Sequence, residues 1–140
     1  MNGSIVAAEA PGIPAADAYR PGVCNIGPAE IARRRRAGHT GLIAATGLLA
    51  ALVIADAPDW TRFLVAIPAV GAASGYIQAR LRFCAGFGSM GVFNFGELGP
   101  TERVTNDADR SRDRARAMQI GAASVAIGVA VGLMAIALPL

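Results

Sequence analysis

A chain of 140 residues, 54 % of them hydrophobic and only 16 % charged, is one domain at most and lacks the charges that line one face of every helix in a soluble helical fold. Its net charge of +3 comes from 13 arginines and no lysine. All of them but Arg62 lie before the first apolar segment or between the second and third, so the excess is read as membrane topology and contact with anionic lipid, not as a nucleic-acid footprint.

Residues 1–20 lack the basic start of a signal peptide. Pro11 and Pro14 break up a mildly apolar stretch that also holds Glu9 and Asp17. The expectation is a flexible cytoplasmic tail, followed by a membrane domain over residues 21–140. Next comes Cys24-Asn25-Ile26-Gly27-Pro28-Ala29-Glu30, leading into Arg33, Arg34, Arg35 and Arg36. Pro28 suits a first helical turn and Glu30 complements the helix dipole. A short helix is therefore expected, lying at the interface or running directly into the first span. Its four arginines are either a plain topology anchor or a contact for lipid phosphates or a partner.

Apolar segments follow at 37–55, 63–79 and 117–140. None contains Asp, Glu, Lys or Arg, and each has the length a helix needs to cross about 30 Å of hydrocarbon. The expected fold is an all-α membrane protein with three transmembrane helices. The arginines place the N-terminus and the loop 80–116 in the cytoplasm, and the loop 56–62 and Leu140 outside. Trp60 falls at the outer interface. The localisation read from this is the plasma (inner) membrane of a bacterium, multi-pass. Small residues at spacing four allow close helix packing. They occur at Gly41 and Ala45, Gly47 and Ala51, Gly71 and Gly75, and Ser124, Gly128 and Gly132. These spacings either reflect an alanine- and glycine-rich composition or, at Gly128 and Gly132, an intermolecular contact. Pro68 is expected to kink the second span. No charged residue lies in mid-span, which argues against a proton pump or ion-coupled carrier.

Residues 82–96 hold four of the five phenylalanines and repeated glycines. So many glycines oppose a stable helix. The expectation is a re-entrant or interfacial loop, with Phe87, Phe93 and Phe95 in the headgroup region. Gly86, Gly88 and Gly91 spell a Gly-x-Gly-x-x-Gly string. It follows an apolar helix and not a strand, so a dinucleotide site is rejected. Beyond it, Thr105 or Asn106 can cap a helix that begins with Asp107 and Asp109 and continues as the third span. Asp107 and Arg110, Asp109 and Arg112, and Asp113 and Arg116 are spaced for ion pairs on its surface.

The two cysteines, Cys24 and Cys84, both fall on the expected cytoplasmic side. That compartment is reducing and disfavours a permanent disulfide. They are inert packing residues, or a thiol or persulfide pair, or soft-metal ligands together with His39. Three ligands are one short of a closed zinc site. A Ser-His-Asp or Cys-His-Asp hydrolase is unsupported, because His39 is the only histidine and has no carboxylate placed to orient it. No cofactor is indicated.

Asn25, Ile26, Gly27, Glu30, Arg34, Arg35 and Gly38 before the first span, with Phe83, Cys84, Gly91 and Asn94 after the second, resemble the YgaP-like transmembrane domain. The resemblance covers residues 24–96 and implies a two-helix membrane hairpin associated with sulfane-sulfur handling, at Cys84 and also at Cys24. This chain departs from it in Ala85, where the family has proline after the cysteine, and in its third span. It also lacks a rhodanese domain. The leading functional expectation is a small membrane protein acting as an oligomerising or accessory subunit of a larger complex, without catalysis. The alternatives are a thiol-active protein relaying or exporting sulfur or a soft metal, and a minimal oligomeric transporter.

Overall fold

A computed structural model describes residues 18–140. Most of the tail expected over 1–20 therefore lies outside the described residues. Four α-helices, one 3₁₀ helix and a two-stranded ribbon follow in chain order.

Helix α1 (Pro28–Ile54) starts with Pro28 in its first turn and runs 27 residues without interruption. The segments expected as an interfacial start and a first span are thus one helix. It stops where Asp56 takes a left-handed backbone conformation, φ 52°, two residues before Pro58. A proline disfavours helix in the residue before it. The 3₁₀ helix Asp59–Val65 follows, then α2 (Ala66–Leu81). The expected second span is divided at this junction. Pro68 produces no mid-span kink; it sits in the first turn of α2, where its missing N–H costs no helical bond.

Helix α3 (Ala85–Met90) is a turn and a half. Strand β1 (Val92–Phe93) pairs antiparallel with β2 (Glu102–Arg103), Val92 opposite Arg103. The expected irregular loop is therefore a folded cap. Glycine content alone misled here, because tertiary contacts override propensity over so short a helix. Helix α4 (Asp107–Ala137) spans 31 residues. Asn106 caps it, its Oδ1 accepting from the N–H of Ala108 at 2.8 Å and of Asp109 at 3.3 Å. It ends before Pro139.

Helices α1 and α4 are long and apolar enough to cross a membrane; α2, at 16 residues, is shorter. α2 packs on both long helices. Small residues set the approach. Gly75 lies against the backbone of Gly38 and Arg34, and Gly41 against Ala72 and Pro68. Gly128 lies against Ala66 and Val70, and Gly132 against Ala66 and Phe63. The Gly128 and Gly132 face is thus filled within the chain, which corrects its reading as an intermolecular contact. Gly71 and Gly47 have no neighbour within 4 Å. Gly71 therefore takes no part in packing inside the chain.

Large apolar side chains point outward along the helices. Ile43 is 72 % exposed, Ile67 73 % and Met118 70 %. The buried apolar cluster is small, centred on Phe83, Ala117 and Ile120 at the end of the bundle next to the cap. Arg62, read from sequence as a loop residue, is buried. It pairs with Asp59 at 2.9 Å and donates to the carbonyls of Leu138 and Leu140, both at 3.1 Å. This ties the end of α4 to the 3₁₀ helix.

Candidate functional site

The cap gathers residues from four parts of the chain around Cys84. A strap from Ala18 to Gly27 crosses the end of the bundle. It turns at Gly22, whose φ of 68° suits glycine, and Arg20 and Cys24 pair across the turn. Its centre is Asn25, fully buried. The Asn25 side chain treats Cys84 as a strand partner: Nδ2 donates to the Cys84 carbonyl at 3.0 Å, and the Cys84 N–H donates to Oδ1 at 2.6 Å. The Asn25 backbone donates to Arg82 and accepts from Asn94, at 3.1 and 3.0 Å. Gly27 donates to the Asn94 carbonyl at 2.9 Å, and a Cβ on Gly27 would meet the Phe95 backbone. The buried main chain of Asn25 is thus paired at both its N–H and its carbonyl.

The α2–α3 turn presents the cysteine. Arg82 adopts φ 54° at the end of α2. Gln78 braces the turn, accepting at Oε1 from the N–H of Ala85 at 2.9 Å and donating to the hydroxyl of Ser74 at 2.7 Å. Cys84 then caps α3, its sulfur accepting from the N–H of Phe87 at 3.4 Å.

Arg34 reaches the same sulfur from α1, its Nη2 donating to Cys84 Sγ at 3.0 Å. The guanidinium also lies 6.0 Å from the centre of the Phe87 ring and 3.7 Å from Glu30 Oε2. Glu30 is 1 % exposed and is flanked on its other side by Arg33 at 3.6 Å. Two guanidinium groups thus face its buried carboxylate. The four consecutive arginines consequently divide. Arg34 turns inward to sulfur, Arg33 bends back to Glu30, and Arg35 and Arg36 stay exposed.

Neither cysteine is in a disulfide, and each is 1 % exposed. Cys24 Sγ lies 3.8 Å from the carbonyl of Ile26, and through its neighbour Asn25 it belongs to the same junction as Cys84. His39 is elsewhere: its Nδ1 pairs with the Tyr76 hydroxyl at 2.6 Å. Among the described residues no group of three His, Cys, Asp or Glu is placed to hold a metal ion. The set Cys24, Cys84 and His39 is therefore not gathered into a site. The phenylalanines Phe87, Phe93 and Phe95 are half-buried and pack within the cap. Phe87 lies under Arg34, Phe93 stacks on Tyr19 with ring centroids 4.6 Å apart, and Phe95 tilts against Phe93 at 6.0 Å.

Sequence reasoning missed the second anchor of the strap. Asp113 was expected to pair with Arg116 on a solvated surface. It is instead fully buried, accepting from the Tyr19 hydroxyl and the Gly22 N–H, each at 2.7 Å. The signal was present in the periodicity. Asp113 falls on the inward row with Ala117, Ile120, Ser124, Gly128 and Gly132. The pairs of Asp107 with Arg110 and Asp109 with Arg112 do form, at 3.9 and 3.8 Å.

Burial first, and then the hydrogen bond and charge of Asp113, push the Tyr19 phenol above its ordinary value. A group raised in the folded state contributes stability that is fully present below its unfolded pKa, about 10 for tyrosine, and is lost as pH rises toward the folded value. Thermal melts in neutral detergent are therefore expected to be insensitive to the phenol through neutrality and to fall above about pH 10. Tyr19→Phe should flatten that alkaline limb relative to the parent. An unchanged limb would mean that Tyr19 does not couple the strap to α4.

No protein family, no curated protein and no solved structure matches this chain.

Proposed function

We propose that the chain is a three-span membrane protein of the YgaP-like kind that holds a reactive thiol, Cys84, in a folded cap on the cytoplasmic face. One observation carries this reading: Arg34 Nη2 donates to Cys84 Sγ at 3.0 Å. Sulfur receives a second N–H from Phe87. Two converging donors, one of them cationic, suit an anionic sulfur or the terminal sulfur of a persulfide. A packing cysteine needs neither.

Several features support the membrane placement. Two helices are long and apolar enough to span, and their large side chains face outward. Their hydroxyls are satisfied within the helix, Thr46 on Leu42 at 2.9 Å and Ser124 on Ile120 at 2.7 Å, as a hydrocarbon environment demands. The 3₁₀ helix and α2 are continuous in sequence and together supply the third crossing. The arginines set the N-terminus and cap inside and Leu140 outside.

The chemistry is sulfur transfer. Cys84 thiolate attacks the outer sulfur of a small persulfide donor. A new S–S bond forms on Cys84, the donor's S–S bond breaks, and the donor leaves as a thiolate. Arg34 neutralises the sulfur before and after transfer. Since Cys84 is covered by Arg34 and Phe87, small donors are admitted when the exposed end of Arg34 moves, and bulky ones are refused.

The test is persulfidation of the full chain in inside-out membrane vesicles by cysteine persulfide, read by mass spectrometry as one added sulfur on Cys84. Cys84→Ser should abolish it. Arg34→Gln should slow it about tenfold, the effect of one charge-assisted hydrogen bond. No sulfur on Cys84, or a rate indifferent to Arg34, would refute the proposal.

A second reading, an oligomerising or accessory subunit of a membrane complex, is favoured by Gly71, which is exposed on α2 and has open space where a side chain would stand. A neighbouring helix can approach closely there.

A further inference from the structure

We infer that a cavity between the arginine-bearing ends of α1 and α2 is a binding site for a phosphate group, supplied by the headgroup of an anionic membrane lipid. The inference rests on α1 and α2 lying in a bilayer and does not depend on the chemistry of Cys84. The cavity has a volume of about 460 Å³ and is lined by Ile31, Arg35, Tyr76, Ala79, Arg80 and Arg82. Small-ligand sites fall within about 300–1,000 Å³.

Local helical geometry builds it. Ile31 and Arg35 are one turn apart on α1, while Tyr76, Ala79 and Arg80 share a face of α2. The close approach of Gly75 to Gly38 and Arg34 brings these two faces together. Tyr76 is steadied by His39, hydroxyl to Nδ1 at 2.6 Å, and its ring closes one side. Arg82 enters from the left-handed end of α2.

Two observations point to an anion. Three of the six lining residues carry guanidinium groups and none carries a carboxylate. Among the described residues Arg35 and Arg80 have no ion-pair partner, whereas the neighbouring Arg33 and Arg34 are both drawn to Glu30. Guanidinium groups match phosphate oxygens as planar two-donor forks. The level of the cavity favours lipid over free phosphate. Arg35 lies two residues before the apolar segment 37–55, and Arg80 directly follows the apolar segment 63–79. Lipid phosphates sit at that depth, just outside the hydrocarbon.

The full chain is purified into nanodiscs of phosphatidylcholine, with or without phosphatidylglycerol, and lipid retained on release is counted by native mass spectrometry. One phosphatidylglycerol per chain should be retained. The double variant R35Q/R80Q should hold it about thirtyfold more weakly, and R110Q/R114Q should hold it as the parent does. Inorganic phosphate should not displace it. Displacement by inorganic phosphate at modest excess would assign the same guanidinium chemistry to a free ion and overturn the lipid source. Equal retention by R35Q/R80Q and the parent would overturn the site. Carbonate extraction of native membranes is read in parallel. A chain released by carbonate fails the membrane reading, whereas a chain that stays embedded but selects no lipid fails only this site.

Discussion

Gly75→Ala is expected to part α1 from α2. The added Cβ would lie 2.7 Å from the carbonyl oxygen of Arg34 and against the backbone nitrogen of Gly38. Both obstacles are main chain, so no side-chain rotation relieves them, and the helices must move. Overpacking costs about 1–3 kcal/mol where side chains can yield, and a backbone obstacle belongs at the upper end of that range or above it. The consequences reach the cap. Displacing the turn that holds Arg34 lengthens its contact with Cys84 sulfur, so thermal stability in detergent and the labelling behaviour of Cys84 should change together. Gly128→Ala should behave similarly at the α2–α4 contact, where its Cβ would lie 2.9 Å from Ala66 O and Val70 N. Gly71→Ala provides the contrast. Nothing lies within 4 Å of its Cβ, so monomer stability should stay within about 0.5 kcal/mol. Melting curves of the three variants decide the matter. If Gly75→Ala melts with the parent, the packing described for α1 and α2 is wrong. A Gly71→Leu change that alters chemical cross-linking between copies, without altering the melt, would favour the subunit reading.

Asn25→Ala should open the cap. It removes both hydrogen bonds to the backbone of Cys84. The Cys84 carbonyl keeps the Gly88 N–H at 2.9 Å, but the Cys84 N–H is left buried without a partner, at a cost of about 1–3 kcal/mol. The cheapest relief is for the strap to lift and let water reach that N–H. Cys24 and Cys84, each 1 % exposed, would then react much faster with a maleimide than in the parent. Asn25→Asp refines the test. Its carboxylate still accepts from the Cys84 N–H but opposes the Cys84 carbonyl with a second oxygen. Relative to the parent at the same pH, labelling should be fast at neutral pH and return to the parent's rate once acid protonates the carboxyl and restores a donor. Equal labelling of Asn25→Ala and the parent would show that some other contact holds the strap.

Composition and arginine placement isolated three apolar stretches, because hydrocarbon-length runs without charge need only be read in one dimension. Pro28, Glu30 and Asn106 marked helix starts, since capping chemistry is local. The motif residues Asn25, Glu30, Arg34, Cys84 and Asn94 could be named from the sequence, but not their partners. Asn25 and Cys84 are 59 positions apart, and no local rule couples them. The glycine-rich stretch 82–96 was misread because short helices and ribbons are made by long-range contacts that propensity does not contain.

Local chemistry dictates the apolar helices, their caps and the clustering of charge at one end, all of which follow from interactions within a few residues. Long-range packing settles which of four adjacent arginines faces sulfur, which face of α4 buries Asp113, and which glycines touch. Those outcomes depend on how α1, α2 and α4 approach one another. That approach is set by backbone contacts at Gly38, Gly75 and Gly128, where the absence of a side chain matters only once a neighbouring helix is in place.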